Sequence, residues 1–314
     1  MLSTEESRVV STPTPAGRRR HPLLVTGMPR SGTTWLARLC ATAPGTSMPG
    51  RELMTPEGYA LHHTVDGWVA LRGLTARQRR LMRLSYVGLN PFTFGRYGRR
   101  QLRASLPSTR VVVKDPFAML SLPPICELTG AEPLVVYRHP GAMLVSYRRM
   151  GWQPDLTELR PILREHRREQ GTTDGGLPEL PLPGEADDAT AMAVFWSVLY
   201  EIAVDRAADI DGLVVVSHEE LSAGGMPAAE SLFTTLGLTT TRDTVAEMEH
   251  EQPTAATEPS AAAGRPALHD FNRSPAQAAH SWRARLEPGE LDRVEAAASD
   301  MLARLESLRT RLSS

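Results

Sequence analysis

The chain has almost no lysine and almost no cysteine. Lys114 is its one lysine beside 34 arginines, and Cys40 and Cys126 are its only cysteines. Two cysteines are too few for a disulfide framework and lack the spacing of a zinc site. Long apolar runs are missing too. The longest, residues 191–200, is interrupted by Ser197 and halted by Glu201, far short of the ~20 residues that span a bilayer. The first 21 residues are polar, rich in Pro and Thr, include Arg18-Arg19-Arg20, and hold no apolar h-region. They read as a disordered segment over 1–20 rather than a secretion signal. A surplus of charge is also absent: 35 Lys and Arg face 36 Asp and Glu, for a net charge of −1. Bulk attraction to nucleic acid or to an anionic membrane is therefore not expected, and any anion site is local. These absences predict a cytoplasmic protein with no nucleic-acid partner, no membrane partner and no metal site.

What is present predicts a folded α/β chain. At 41% hydrophobic and 23% charged residues, the composition is that of a globular protein. Four short runs, 23–26, 111–113, 134–137 and 213–216, are apolar on both faces and read as buried strands. Helical patterns at 35–41, 141–149, 191–208 and 228–236 alternate with them, and a last one runs from about 290 to 312. That alternation implies a parallel sheet flanked by helices. Residues 171–190 read as a long loop, and 252–266 as a second polar stretch. In such sheets ligands bind beyond the carboxyl ends of strands, so the residues following each strand carry the functional information.

Gly27-Met28-Pro29-Arg30-Ser31-Gly32-Thr33-Thr34-Trp35 follows the first strand and opens a helix. Glycines allow the turn, and free backbone N–H groups with the helix dipole favour an anion. The Gly27-x4-Gly32 spacing is that of a nucleotide-triphosphatase loop, but Thr33 stands where that loop needs its lysine. Arg30 supplies a cation from within the loop instead. After the third strand, Arg138 and Ser146 are eight residues apart, close enough for a strand-end guanidinium and a helix hydroxyl to share one anion.

Here the sequence resembles the sulfotransferases that use 3′-phosphoadenosine 5′-phosphosulfate (PAPS). Residues 29–34 look like their 5′-phosphosulfate loop, in the arginine form of tyrosyl-protein, carbohydrate and many bacterial members. The segment from Arg138 to Ser146 resembles their 3′-phosphate site. The resemblance runs loosely from His21 to Leu312 and implies one sulfotransferase domain over 21–314, with a P-loop-like parallel sheet. It also implies PAPS as donor, adenosine 3′,5′-bisphosphate (PAP) as product, and donor contacts from Arg30, Ser31, Gly32, Thr33, Thr34, Arg138 and Ser146. Trp35 would stack on adenine, and His218 falls where an aromatic side chain often lines the nucleotide. Arg273 and Ser274 resemble a late segment that closes over the 3′-phosphate.

Sulfuryl transfer requires a base, cations for the sulfonyl oxygens and stabilisation of the leaving phosphate. Arg30 and Lys114 are the candidate cations. A chain that uses arginine everywhere else keeps a lysine at a strand end, where a compact ammonium could donate to a bridging oxygen. The resemblance implies Glu52, in Gly50-Arg51-Glu52, as base, with His62 and His63 as substitutes. The histidine of cytosolic members is replaced by Pro116. Trp196 and Tyr200 read as packing residues. A P-loop kinase or triphosphatase, and a non-catalytic nucleotide-binding protein, are the rival readings. The expected acceptor is a hydroxyl on a small molecule, such as a specialised metabolite, in a bacterial cell; oligomeric state is not legible.

Overall fold

The computed structural model describes residues 21–54, 68, 70–71, 73–94, 99–171, 180–182, 184–249 and 281–312. The segments 1–20 and 252–266 lie outside them. Five strands, β1 (Leu23–Thr26), β2 (Thr46–Ser47), β3 (Arg110–Lys114), β4 (Glu132–Tyr137) and β5 (Val214–Ser217), form one parallel sheet. Their order is β2-β3-β1-β4-β5. Four of them are the apolar runs of the sequence. The fifth, β2, has no apolar run at all and exists because Thr46 and Ser47 pair with Arg110 and Val111.

Strand side chains alternate between two apolar layers, as a pleated strand requires. Leu24, Val113, Val135, Tyr137 and Val215 face a core shared with α6 (Asp188–Ala207), α5 (Leu156–Glu169), α4 (Pro140–Met150) and α9 (Glu290–Leu308). Leu23, Val25, Val112, Leu134, Val136 and Val216 face α1 (Thr33–Cys40) and α7 (His218–Thr235). Burying a large apolar side chain of this kind contributes about 1.5–3 kcal/mol. α6 carries apolar residues around most of its circumference, including fully buried Trp196 and Tyr200, because α9, α4 and α5 all pack against it. Among the described residues no helix is long and apolar enough to cross a membrane.

Several boundaries differ from expectation. α6 starts at Asp188, because Asp187 accepts from Ala189 N and Thr190 N and caps it; the expected loop therefore ends at 187. α7 begins at His218 directly after β5, and the helix expected at 228–236 is its second half, beyond a break at Gly225 (φ 57°) and Pro227. The last helix stops at Leu308. α2 (Ala76–Tyr86), α3 (Leu122–Thr129), α5 and α8 (Arg242–Glu249) were not legible as periodic patterns. α2 is dominated by arginine and announces itself only by its Thr75–Gln78 capping box; α5 contains Pro161.

The chain leaves central β1 for β2 and β3 on one side, then crosses to β4 and β5 on the other. The carboxyl ends of β1, β3 and β4 thus meet at a topological switch point, where a crevice forms.

Candidate active site

The loop after β1 is shaped by close approaches. Gly27 has φ 146° and its Cα faces the Val136 carbonyl so closely that no Cβ would fit. Gly32 has φ 102°, and a Cβ there would overlap the His218 ring. Arg30 is the one non-glycine residue with positive φ (78°) among the described residues, a sparsely populated conformation that costs free energy and tends to mark functional loops. It turns the side chain toward α4, where Arg30 Nε–H donates to Ser146 Oγ at 3.0 Å. From beneath, Tyr200 braces the loop: Met28 N–H donates to its hydroxyl at 3.2 Å, and that hydroxyl donates to the Val136 carbonyl at 2.8 Å. Gly32 offers α1 no side-chain cap, and the first turn of α1 has no acidic residue. The positive end of the helix dipole is therefore available to an anion.

Arg138 emerges from β4 into the same crevice, and the guanidinium is largely buried. Its Nε lies 3.8 Å from Glu219 Oε1, which also accepts from His139 N–H at 3.1 Å. Trp196 Nε1–H donates to the Arg138 carbonyl at 2.9 Å. Burial, then the charges of Arg138 and Arg149, lower the pKa of Arg30. Burial lowers that of Arg138, with Glu219 acting the other way. Such a concentration of cations is stabilised by an anion between them. Beside them His218 is buried after β5, its ring edge-on to Trp35 at 5.3 Å between centroids. Burial and the Arg138 charge hold its pKa well below the usual histidine range, so it presents a neutral ring.

The third part lies where β2 and β3 end. Glu52 and Lys114 are in direct contact. Lys114 is only 7% exposed, and burial draws its pKa down to about 8, with Asp115 pulling the other way. Asp115 is fully buried and accepts three backbone N–H bonds, from Leu53 (2.8 Å) and Met54 (2.7 Å) on Oδ2 and from Phe117 (3.2 Å) on Oδ1. Burial pushes its pKa up to about 6 against these bonds and the Lys114 charge. Asp115 thereby staples the segment carrying Glu52 to the end of β3. A pocket beside Lys114 is lined by Pro49, Gly50, Arg51, Leu53, Ser85 and Thr93.

Every strand of the sheet contributes to one edge: the loop from β1, Glu52 from β2, Lys114 and Asp115 from β3, Arg138 from β4, His218 and Glu219 from β5. The Sulfotransferase family model matches residues 22–173, which includes the first four of these. Over that span the chain is similar to the sulfotransferase family. No curated protein matches it. Among solved structures it is similar to the sulfotransferase domain from the curacin biosynthetic pathway, at a TM-score of 0.48 and 14% identity, covering 90% of this chain and 99% of that one. A mouse sulfotransferase complexed with PAP aligns at a TM-score of 0.48 and 13% identity, covering 93% and 89%. A sulfotransferase from Alicyclobacillus acidocaldarius aligns at 0.46 and 14%, covering 94% and 98%.

The candidates separate by location. Arg30, Ser31, Gly32, Thr33, Thr34, Trp35, Arg138, Ser146 and His218 cluster along the β1, β4 and β5 ends, and Glu52 with Lys114 on the β2–β3 side. Arg273, Ser274, His62 and His63 lie outside the described residues. The expectation that Trp196 and Tyr200 only pack is incomplete, since their polar ends hold the Arg138 strand end and the loop after β1. Two residues escaped notice for their roles in the site. For Glu219, only the tertiary contact shows it facing Arg138. The burial of Asp115 with three N–H donors was not legible from the sequence. Among the described residues no group of three or more His, Cys, Asp and Glu side chains could hold a metal ion.

Proposed function

We propose that this protein transfers the sulfuryl group of PAPS to an acceptor hydroxyl, releasing PAP, with Glu52 as the base. The observation that carries the reading is the Glu52–Lys114 contact at the β3 end, across the uncapped phosphate loop from Arg30, Ser146 and Arg138. A nucleotide donor fits two groups left unsatisfied: Trp35 Nε1 and His218 Nδ1 are buried without a hydrogen-bond partner among the described residues. Both belong to the wall beside Gly32 that the donor's base would meet.

When bound, the donor supplies an activated sulfuryl group whose leaving partner is a phosphate. The chain's own groups do the rest. Ser31, Gly32, Thr33 and Thr34, with the α1 N-terminus, hold the 5′ end. Arg138 and Ser146 hold the 3′-phosphate, with Glu219 orienting the guanidinium, and Arg30 spans the two ends through its bond to Ser146. Glu52 takes the acceptor's hydroxyl proton as oxygen attacks. Lys114, protonated below about pH 8, donates to the oxygen that accumulates charge on departure. Before the reactants arrive, Glu52 and Lys114 neutralise each other. We further propose that residues 21–314 act as one domain in a bacterial cytoplasm on a small-molecule acceptor such as a specialised metabolite.

Thermal denaturation with PAP, ATP or AMP, with and without magnesium, tests the donor. At a hundredfold excess over its dissociation constant, PAP adds about 2.7 kcal/mol without magnesium, and the gain is lost in Arg138→Ala. Stabilisation by ATP with magnesium but not by PAP would assign the site to a kinase or triphosphatase. Glu52→Gln keeps PAP binding and loses about 10²–10⁴ in kcat. PAP binding with no sulfuryl transfer by the unaltered protein to any of a panel of hydroxyl acceptors would favour a nucleotide-binding protein.

A further inference from the structure

Charge in this chain is unevenly distributed. From Gly67 to Lys114 there are ten arginines and one lysine and not one Asp or Glu, in a protein of net charge −1. Elsewhere arginines are matched with carboxylates, as in Arg38–Glu247, Arg148–Glu290, Arg206–Glu169 and Arg309–Glu220. Exposed Arg77, Arg79, Arg80 and Arg83 of α2, and Arg103 of the 3-10 helix Arg99–Ser105, are different. Among the described residues, none of them meets a carboxylate.

The same stretch concentrates exposed apolar side chains. Of the eight large apolar residues exposed among the described residues, five are Val87, Leu89, Phe92, Leu102 and Leu106, each more than half accessible. Their two segments meet where Gly88 packs against the Ala104 backbone, with no room for a Cβ. That contact sets Val87 and Leu89 beside the turn carrying Leu102 and Leu106. Phe92 follows at the 3-10 turn Pro91–Thr93. Leaving such a cluster in water has a cost that an interaction surface recovers.

We propose that this face docks on an anionic lipid bilayer, with the five apolar side chains entering the headgroup–acyl boundary and the arginines pairing with lipid phosphates. Charge complementarity requires an acidic occupant. The apolar residues are each more than half exposed, and the arginines are spread over two elements. A fluid surface that reads charge density and accepts apolar knobs suits this arrangement, and binding lies in the interface rather than across it. Net charge concealed this face, because acids elsewhere cancel the arginines; the expectation of no membrane partner rested on that sum. The pocket beside Lys114 includes Ser85 and Thr93, so it borders the docking face.

Co-sedimentation with vesicles of phosphatidylcholine alone, and of phosphatidylcholine with 30% phosphatidylglycerol (about one anionic lipid in three, enough to set a negative surface potential), tests the proposal. Binding to the anionic vesicles is expected to exceed binding to neutral ones at least tenfold and to weaken with salt. Each arginine near the surface contributes about fivefold, so the double variant Arg77→Glu with Arg80→Glu loses more than about 25-fold. Leu89→Ser with Phe92→Ser, two exposed positions whose replacement leaves the core intact, loses at least tenfold. Full retention by the apolar variant would mean simple charge adhesion and overturn the proposal. So would a failure to bind anionic vesicles at low salt, or preferential binding to poly-L-glutamate or a single-stranded oligonucleotide. The readout is binding, so it stands or falls apart from the roles of Glu52 and Lys114.

Discussion

Replacing Asp115 by Asn removes one charge from beside Lys114 while keeping the size of the side chain. An amide oxygen placed toward Leu53 N and Met54 N retains both bonds, and the amide nitrogen then faces Phe117 N–H, leaving one buried donor unpaired at about 1–3 kcal/mol. Against this stands the penalty of burying the carboxylate. The folded chain holds the Asp115 proton up to about pH 6, whereas the ordinary value is 3.8. Between these values the native state binds more protons than the unfolded state, so this group makes stability fall as pH rises through that window, by about 3 kcal/mol in all. At pH 7 the two effects nearly cancel, and the variant lies within about 2 kcal/mol of the parent. Urea denaturation at pH 4, 5, 6 and 7 is expected to show the difference between the two proteins closing across the window. Catalysis gives the second readout. Asp115 raises the pKa of Lys114, so under the proposed role of Lys114 its neutralisation moves the alkaline limb of the rate profile downward. An alkaline limb that stayed in place or moved upward, with denaturation curves parallel at every pH, would refute the account of Asp115 as the buried countercharge and staple of the site.

Gly32→Ala meets two obstacles at once, a backbone at φ 102° and the ring of His218. It is expected to reduce PAP-induced stabilisation at least tenfold in apparent affinity while β1 and α1 stay folded by circular dichroism. Arg148 makes a two-pronged bond to buried Glu290 (3.0 and 2.7 Å) and reaches Asp188, tying α4 to α9 and α6. Arg148→Ala leaves the Glu290 carboxylate without that partner and is expected to lower stability by about 1–3 kcal/mol, read as a fall in Tm with the PAP response preserved.

Local pattern made much of the fold legible. The strands β1, β3, β4 and β5 are apolar on both faces, and that property belongs to a few consecutive residues. The loop after β1 was readable for the same reason, since Gly27, Arg30, Gly32, Thr33 and Thr34 lie within one short stretch of chain. β2 and α2 were not readable. Thr46 and Ser47 become a strand only through pairing with β3, and the arginines of α2 hide a helix whose buried stripe is Met82, Ser85 and Tyr86.

The sequence by itself determined that this chain folds as a parallel α/β protein with a glycine-containing loop between its first strand and first helix, and which side chains were candidates for chemistry. Only the tertiary structure decided which of them meet. Glu52 and Lys114 are 62 residues apart and touch because β2 lies beside β3. Arg138 and Glu219 face each other because β4 lies beside β5. Burial, too, is a property of the assembled core: it makes Asp115 the staple of the Glu52 segment and lowers the pKa of Lys114. Pairing and desolvation depend on residues distant in the chain, so no local reading of composition or spacing contains them.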